Sequence, residues 1–338
     1  MYANKKRMNR EMAVSPIVAT LVLIVVAVIG AVAVGTIMGT FSSDVSKQAS
    51  AGQAASASST NVLFAGSTTI QPAMNLVAAD YMAANPGVKI TVQGGGSGAG
   101  LQSVAAGIAD VGMFSQAMDT KQVAAYPTIK QYVVGYGGVV AIVNNKLANS
   151  TTAYTNVTYA DLKTVFTTGS TANTNTLPAG ITAVEVRSDV SGTADSFATL
   201  IGDSNIYDTS KGQIGNNGNG AEVTAVAGNA GAIGFTDLDY ALTASGITIL
   251  PYTGTPSTDG LASSVKWPAY TWQSVRDAKN GVSNPLNFPA TAVRPLELLT
   301  NGQPSTLENN IIQFTSSPSE AAQFHSINLV HVSDIVTL

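Results

Sequence analysis

Three loops rich in glycine, serine and threonine each join a short apolar run to a segment with helical periodicity. They read AGSTTIQP (residues 65–72), QGGGSGAG (93–100) and RSDVSGT (187–193). Strands that alternate with helices in this way predict an α/β architecture with a largely parallel sheet. In such sheets ligands sit beyond the carboxyl ends of the strands, where glycine-rich turns lead into helix N-termini. We therefore expect the three loops to converge and to hold one oxyanion.

The third loop carries the most informative side chains. Arg187 supplies a planar fork of N–H donors that suits a tetrahedral oxyanion, and Asp189 is close enough in the chain to hold that fork in one orientation. Ser191 and Thr193 add hydroxyl and backbone N–H donors at the start of a helix. Taken one at a time, the loops also fit a surface Arg–Asp pair, a helix cap and a glycine linker. Three such junctions in one chain favour a shared site.

The composition narrows the class of protein. The chain has 338 residues, 45% of them hydrophobic, which is enough for one large domain or two ordinary ones. It has no cysteine and two histidines, His325 and His331, so we expect no disulfide, no metal site and no cofactor. Outside residues 1–12 there are 12 basic and 19 acidic residues, a net charge of −7 that disfavours nucleic acid as a partner. An enzyme with Ser191 as nucleophile is disfavoured because no G-x-S-x-G motif accompanies it.

The N-terminal residues differ from the rest of the chain. Residues 1–12 form a basic leader, residues 13–43 contain no charged residue, and residues 44–60 form a Ser/Ala-rich linker. The apolar run exceeds the roughly 20 residues that a bilayer-spanning helix needs. Basic residues before it predict a cytoplasmic leader, with everything after the run outside the cell; a cleaved secretory signal peptide is the alternative. An outside location would make Asn149 and Asn156 glycosylation acceptors.

The segment REMAVSPIVATLVLIVVAVIGAVAVG (residues 10–35) resembles the N-terminus of archaeal type IV pilins, which have a basic leader, a VSP start and a long apolar helix. In that family a prepilin-type peptidase cuts before the apolar helix, which implies cleavage close to Met12, Ala13 or Val14. The resemblance implies that the retained helix either stays in the membrane or packs into the core of a homo-oligomeric filament.

Hydrophobic periodicity predicts the elements of the remaining chain. We expect strands at 61–66, 88–93, 181–189 and, as one strand or two, 131–145. We expect helices at 69–87, 99–112, 158–169 and from 191, then a helix, strand and helix within 221–242 and an amphipathic segment at 305–327.

The order of these motifs resembles the periplasmic-type phosphate-binding proteins of ABC transporters. The matching pieces include AGSTTIQP, VKITVQGGGSGAGLQSVAAGIADVGMFS, VRSDVSGTADSF and GNAGAIGFTDLDYA, in family order across residues 61–338. The resemblance implies a two-lobed, α/β binding-protein fold of type II with a cleft at the hinge. Residues 61–140 and 285–338 would form the first lobe, and residues 141–284 the second.

The resemblance also implies roles for individual residues. The positions that match the family's anion-binding residues are Thr68, Thr69, Ser97, Ser115, Gln116, Arg187, Ser191, Gly192 and Thr193, and Asp189 matches the acid that orients the arginine. Where this chain has Gln116, the best-known branch has an aspartate that accepts the hydrogen of HPO4²⁻ and repels sulfate. Glutamine has no charge with which to reject sulfate. Asp110 could take that part only in a rearranged loop, and a structural role suits it better. Phosphate is the leading ligand, with sulfate, another oxyanion or an empty cleft as alternatives.

Two functions are compatible with these features. One is an extracellular, membrane-tethered solute-binding protein that captures phosphate or a similar oxyanion for an ABC permease. The other is a type IV pilus-like filament subunit whose binding-protein head is exposed on the filament surface. The two functions can coexist.

Overall fold

The computed structural model describes residues 60–148, 157–169, 176–203, 211–251, 270–282 and 288–336. The predicted leader, the apolar helix 13–43, all of the linker but its last residue, and the asparagines of both sequons lie outside these ranges. Within the ranges, no helix combines the length and the apolar character that crossing a bilayer requires.

The strands include the predicted apolar runs, and the structure contains further strands that the sequence did not predict. They are β1 (Thr60–Gly66), β2 (Val88–Gly94), β3 (Val111–Phe114), β4 (Ile129–Asn144), β5 (Ala183–Arg187), β6 (Ile214–Asn216), β7 (Ala232–Asp237), β8 (Ile247–Leu250), β9 (Val293–Asn301) and β10 (Val330–His331).

The helices alternate with these strands. They are α1 (Gln71–Ala84), α2 (Ser97–Ala105), α3 (Thr120–Ala125), α4 (Asn145–Ala148), α5 (Tyr159–Thr168), α6 (Gly192–Ile201), α7 (Asn219–Gly228), α8 (Leu238–Thr243), α9 (Trp272–Lys279), α10 (Thr306–Thr315) and α11 (Ala321–Ser326). Short 3₁₀ turns lie at Ala290–Ala292, Pro318–Glu320 and Val332–Asp334.

One prediction about a helix was wrong at its C-terminal end. The helix expected over residues 99–112 ends at Ala105, and Gly107 adopts a left-handed φ of +68° just beyond it. Residues Val111–Phe114 form β3, in which every residue is buried. A short, fully apolar run does not distinguish a buried strand from the end of a helix by periodicity alone.

The sheet is parallel at its two ends and antiparallel in its centre. The strand order is β2-β1-β3-β9-β4-β7-β5-β6, with β8 and β10 also paired to β4. β1 pairs in parallel with β2 and β3, and β5 pairs in parallel with β6 and β7. β4 and β9 pair antiparallel with each other and with their other neighbours. The expected largely parallel sheet is therefore wrong for the central strands, which connect the two halves.

Two main hydrophobic cores lie on either side of this connection. The first is built from side chains within residues 62–134 and 296–329, including the face of α1 that carries Met74, Val77 and Tyr81. The second is built from side chains within residues 139–292, together with Val330. Two cores joined by long central strands give the two-lobed α/β fold that the motifs predict.

Candidate anion-binding site

The carboxyl ends of the parallel strands bring the three loops into contact. β1 and β2 end in register at Gly66 and Gly94, and the amide of Gly96 donates to the carbonyl of Gly66 at 2.9 Å. The amide of Gly98 donates to the carbonyl of Val190, in the third loop, at 3.0 Å. The first loop is thus tied to the second, and the second to the third.

The glycines of the second loop make this approach possible. Gly96 has a φ of +88°, and a Cβ there would lie 2.5 Å from Oδ2 of Asp189. A Cβ on Gly98 would lie 2.4 Å from the Cβ of Val190. Because glycine lacks that atom and tolerates positive φ, the second loop can lie directly against the third.

Arg187, the last residue of β5, is buried between Asp189 and Asn219. Its Nε and Nη2 donate to the two carboxylate oxygens of Asp189 at 2.7 and 2.5 Å, and its Nη1 donates to Oδ1 of Asn219 at 2.6 Å. The Arg187 side chain is 1% exposed. A guanidinium carries more N–H groups than these contacts use, and the remaining ones have no acceptor among the described residues. The predicted Arg–Asp geometry is present, with donors left for a further oxyanion.

Ser97 and Ser115 form a buried pair of hydroxyls at the second loop. Their Oγ atoms lie 3.0 Å apart, and the amide of Ser115 donates to Oγ of Ser97 at 3.2 Å. Both residues are buried. A Cβ on Gly192, from the third loop, would lie 2.4 Å from the carbonyl oxygen of Ser115. The missing side chain allows the start of α6 to lie against the serine pair.

The third loop leads into α6, whose first turn contributes further donors. Ser191 is the N-cap residue, and its Oγ accepts from the amide of Ala194 at 3.3 Å. The amides of Gly192 and Thr193 belong to the first turn, where N–H groups have no partner within the helix. The Thr193 hydroxyl donates to Oδ1 of Asn219 at 3.2 Å. The Ser191 hydroxyl therefore caps the helix, while the Thr193 hydroxyl joins the network around Arg187.

In the first loop Thr69, rather than Thr68, reaches this network. Oγ1 of Thr69 accepts from Nδ2 of Asn219 at 2.8 Å, and the Thr69 amide donates to Oγ of Ser67 at 3.2 Å. Thr68 is half-buried, and its carbonyl accepts from the hydroxyl of Tyr240 at 2.9 Å. The tyrosine thus links the first loop to α8.

A second buried arginine, which no motif predicted, lies in the same network. Arg294, on β9, is 3% exposed. Its Nη1 donates to the carbonyl oxygen and the Oγ of Ser115 at 2.5 and 2.8 Å. Its Nη2 lies 2.8 Å from Oγ1 of Thr69 and 2.8 Å from Oγ1 of Thr193, and it forms an ion pair with Asp237, so its two hydrogens are shared among three acceptors. One side chain therefore contacts hydroxyls that come from three separate segments.

Two of the three residues missed by the motifs had a signal in the sequence. Asp237 directly follows the apolar strand AIGFT, and Arg294 lies inside the otherwise largely apolar VRPLELL. A charge within or at the end of a buried strand requires a partner. Asn219 has no comparable signal, because it lies in NNGNG, a sequence typical of a turn.

Gln116 and Asp110 have different environments. Oδ2 of Asp110 accepts from the amide of Leu63 at 2.7 Å, and the Asp110 amide donates to the Leu63 carbonyl at 3.0 Å. Asp110 therefore anchors β1, the structural role that the sequence suggested. Gln116 is buried and hydrogen-bonded to Asp195, whose pKa is raised mainly by partial burial. The Oε1 atom of Gln116 has no hydrogen-bond partner within the described ranges.

Burial also shifts the pKa of groups behind the site. It raises the pKa of Glu222, on α7, to about 8 and that of Asp239, on α8, to about 8. It raises the pKa of Tyr240 to about 12. The Tyr240 hydroxyl therefore stays protonated at neutral pH and remains a donor to the first loop.

The two arginines are each balanced by a carboxylate. Burial, followed by the charge of Arg187, lowers the pKa of Arg294 well below its usual range. The Asp195 carboxylate acts in the opposite direction on that pKa, because an opposite charge favours the ionised form. The Asp237 carboxylate contacts the guanidinium of Arg294 directly. With Arg187 paired to Asp189, the arginine–aspartate pairs of the network carry no net charge. What they offer to a ligand is a set of oriented hydrogen-bond donors.

Comparison with known proteins is consistent with this architecture. The model of a PBP superfamily domain matches residues 51–285. The fold is similar to that of a protein described as a phosphate ABC transporter substrate-binding protein, with bound phosphate, from Clostridium perfringens: the TM-score is 0.62, with 20% identity and coverage of 81% of this chain and 100% of that one. It is also similar to an ABC-type phosphate transport receptor from Vibrio cholerae, with a TM-score of 0.55, 21% identity and coverage of 80% and 99% of the two chains. The family match extends over more than half of the sequence, and the chain belongs to the PBP (periplasmic-binding-protein) superfamily.

Proposed function

We propose that this protein is a solute-binding protein that captures a tetrahedral oxyanion, with phosphate as the leading ligand, and delivers it to an ABC permease. The observation that carries the proposal is the state of Arg187, which is buried, held by both oxygens of Asp189, and left with N–H groups that have no acceptor in the described ranges. Keeping such donors out of water is costly unless a ligand accepts from them.

The surrounding donors suit an anion with acceptors on every side. Besides Arg187, they are the hydroxyls of Thr69 and Thr193, the serine pair, and the first amides of α6. Charge-assisted hydrogen bonds in a buried site are the strong kind. We therefore expect micromolar or tighter affinity.

We propose phosphate rather than sulfate because the motifs resemble those of phosphate-binding proteins, and the two similar structures from phosphate transport systems support that choice. Gln116 offers an amide oxygen that can accept the hydrogen of HPO4²⁻, but no charge that would reject sulfate. Isothermal titration calorimetry of the full chain in detergent, with phosphate and sulfate in parallel, tests the proposal. Absence of heat and of a thermal shift with both anions would rule it out.

The remaining features of the proposal rest on the sequence. Residues 13–43 would tether the domain to the outer face of the cytoplasmic membrane after a prepilin-type peptidase removes the leader. Cell fractionation with surface proteolysis tests this arrangement, and a binding domain protected inside intact cells would contradict it.

A filament subunit is the second candidate, and the pilin-like residues 10–35 favour it. In that case apolar helices would bundle into a filament core and the binding domains would cover the outside. Electron microscopy of cell-surface filaments, labelled with an antibody to the domain, distinguishes a filament from a tethered monomer.

A further inference from the structure

Arg294 lies at the centre of the hydroxyl groups that the site would use. Its terminal nitrogens contact Thr69 and Ser115, which adjoin the first core, and Thr193 and Asp237, which adjoin the second. It is 3% exposed, and its Nε has no partner among the described residues. A guanidinium donates hydrogen bonds and never accepts them. Each hydroxyl oxygen that meets Arg294 must therefore accept, and its own hydrogen must point elsewhere.

The direction of these bonds can be followed through Asn219. Because Arg187 can only donate, the atom of Asn219 that faces it at 2.6 Å is Oδ1, and Nδ2 faces Thr69. Oγ1 of Thr69 thus accepts from both Asn219 and Arg294. These two bonds occupy both lone pairs of the hydroxyl oxygen. Its hydrogen has a distant acceptor in Asp237, at 3.4 Å. A good O–H···O bond is about 2.7–2.8 Å, so this hydrogen is available to a ligand.

Thr193 and the serine pair are oriented by the same guanidinium. Thr193 accepts from Arg294 at 2.8 Å, and its own hydrogen faces Oδ1 of Asn219 at 3.2 Å. That distance is longer than the roughly 2.5–3.0 Å of a good O–H···O bond, so this hydrogen too can turn to a ligand. Ser115 accepts from Arg294 at 2.8 Å and shares one hydrogen bond with Ser97. Whichever serine donates to the other, one O–H of the pair remains free to donate.

We propose that Arg294 is a positioning residue of the anion site: without touching the ligand, it turns hydroxyls from both lobes into hydrogen-bond donors toward one oxyanion. This inference rests on the proposed function. It identifies a specificity determinant outside the Arg187 loop, and it predicts that the geometry of the guanidinium matters as well as its charge.

Two variants separate geometry from charge. Arg294→Lys keeps the cation beside Asp237, but a single ammonium cannot reproduce the fork that reaches three hydroxyls. The double variant Arg294→Gln with Asp237→Asn removes both charges together, so no unpaired carboxylate is left buried. Phosphate binding by the full chain in detergent is measured calorimetrically for both, alongside thermal unfolding without anion. We expect each variant to bind phosphate about tenfold more weakly, or worse, than the wild type.

A double-mutant cycle tests whether Arg294 acts through a hydroxyl. Thr193→Val should weaken phosphate binding by about fivefold or more in the wild-type chain, and by less than about twofold when Arg294 is lysine. Additive losses would mean that Arg294 has a merely structural role, which would overturn the inference. Wild-type affinity in either Arg294 variant would also overturn it.

The outcomes also distinguish this inference from the proposed function. A wild-type chain that binds neither phosphate nor sulfate refutes the proposed function, and the inference with it. A wild-type chain that binds phosphate, together with Arg294 variants that bind it equally well, refutes the role of Arg294 alone. If the charge-neutral double variant does not fold, Arg294→Lys and the double-mutant cycle with Thr193→Val still test the role of Arg294.

Discussion

Replacing Arg187 by alanine is the most direct test of the anion site. The arginine keeps N–H groups free after its bonds to Asp189 and Asn219, and we expect two of them to meet the ligand. A hydrogen bond to a charged group contributes about 1.5–3 kcal/mol, so the loss should be about 3–6 kcal/mol. Since about 1.4 kcal/mol corresponds to a factor of ten, phosphate affinity should fall by about two to four orders of magnitude.

The substitution also changes the local charge. Asp189, whose side chain is 8% exposed, would lose its partner and repel an anion. The double variant Arg187→Ala with Asp189→Asn removes that repulsion, and any loss that persists belongs to the missing donors. The matched control is Arg276→Ala, because Arg276 pairs with a neighbouring carboxylate, that of Asp277, at 2.8 Å but is 34% exposed. We expect the control to bind phosphate as the wild type does.

Calorimetric titration with phosphate gives the affinities, and thermal unfolding without anion shows whether each variant is folded. If Arg187→Ala unfolds at the wild-type temperature and binds phosphate within about threefold of the wild-type affinity, the cleft has been wrongly located.

Three further predictions concern the loops and the groups behind them. Gly96→Ala should weaken phosphate binding and cost about 1–3 kcal/mol of stability through backbone strain. The control is Gly107→Ala, which has φ +68° but nothing within 4 Å of the added Cβ, so it should lower stability and leave phosphate binding unchanged. Equal phosphate affinities of the two variants in calorimetry would count against close packing of the loops. Gln116→Asp should weaken sulfate more than phosphate, since sulfate has no hydrogen for the new carboxylate to accept; an unchanged ratio of dissociation constants would place Gln116 outside the site. The pKa of Glu222 is raised from 4.5 to about 8, so the stability that it contributes is complete below pH 4.5 and is lost as the pH rises through about 8. Over that pH range the melting temperature of Glu222→Gln should therefore fall less steeply than that of the wild type. Parallel curves of melting temperature against pH would contradict the raised pKa.

The sequence predicts the loops well because their signals are local. Arg187 and Asp189 are two residues apart at the end of a strand, so their ion pair needs no knowledge of the tertiary fold. The same holds for Ser97, which follows a run of glycines at the start of α2. The structure places both loops where parallel strands end, as the α/β pattern implies.

The central strands and Arg294 could not be placed in this way. β4 extends over 16 residues and changes register between Val133 and Gly135, and its four partners come from distant parts of the sequence. Arg294 is separated from Ser115 by 179 residues. The charge within an apolar strand shows that a partner must exist, but only the strand order determines which one.

The arrangement of charge explains why donor geometry should dominate recognition here. The chain beyond residue 12 carries a net charge of −7, so its long-range field does not attract an anion. Within the network, each guanidinium is balanced by an aspartate, at Asp189 and at Asp237. Attraction must then come from N–H and O–H groups held within hydrogen-bond distance, where low polarity strengthens each bond. Arg187→Ala removes a charge and Arg294→Lys keeps one, yet both are expected to weaken binding, because each disturbs the direction of the donors.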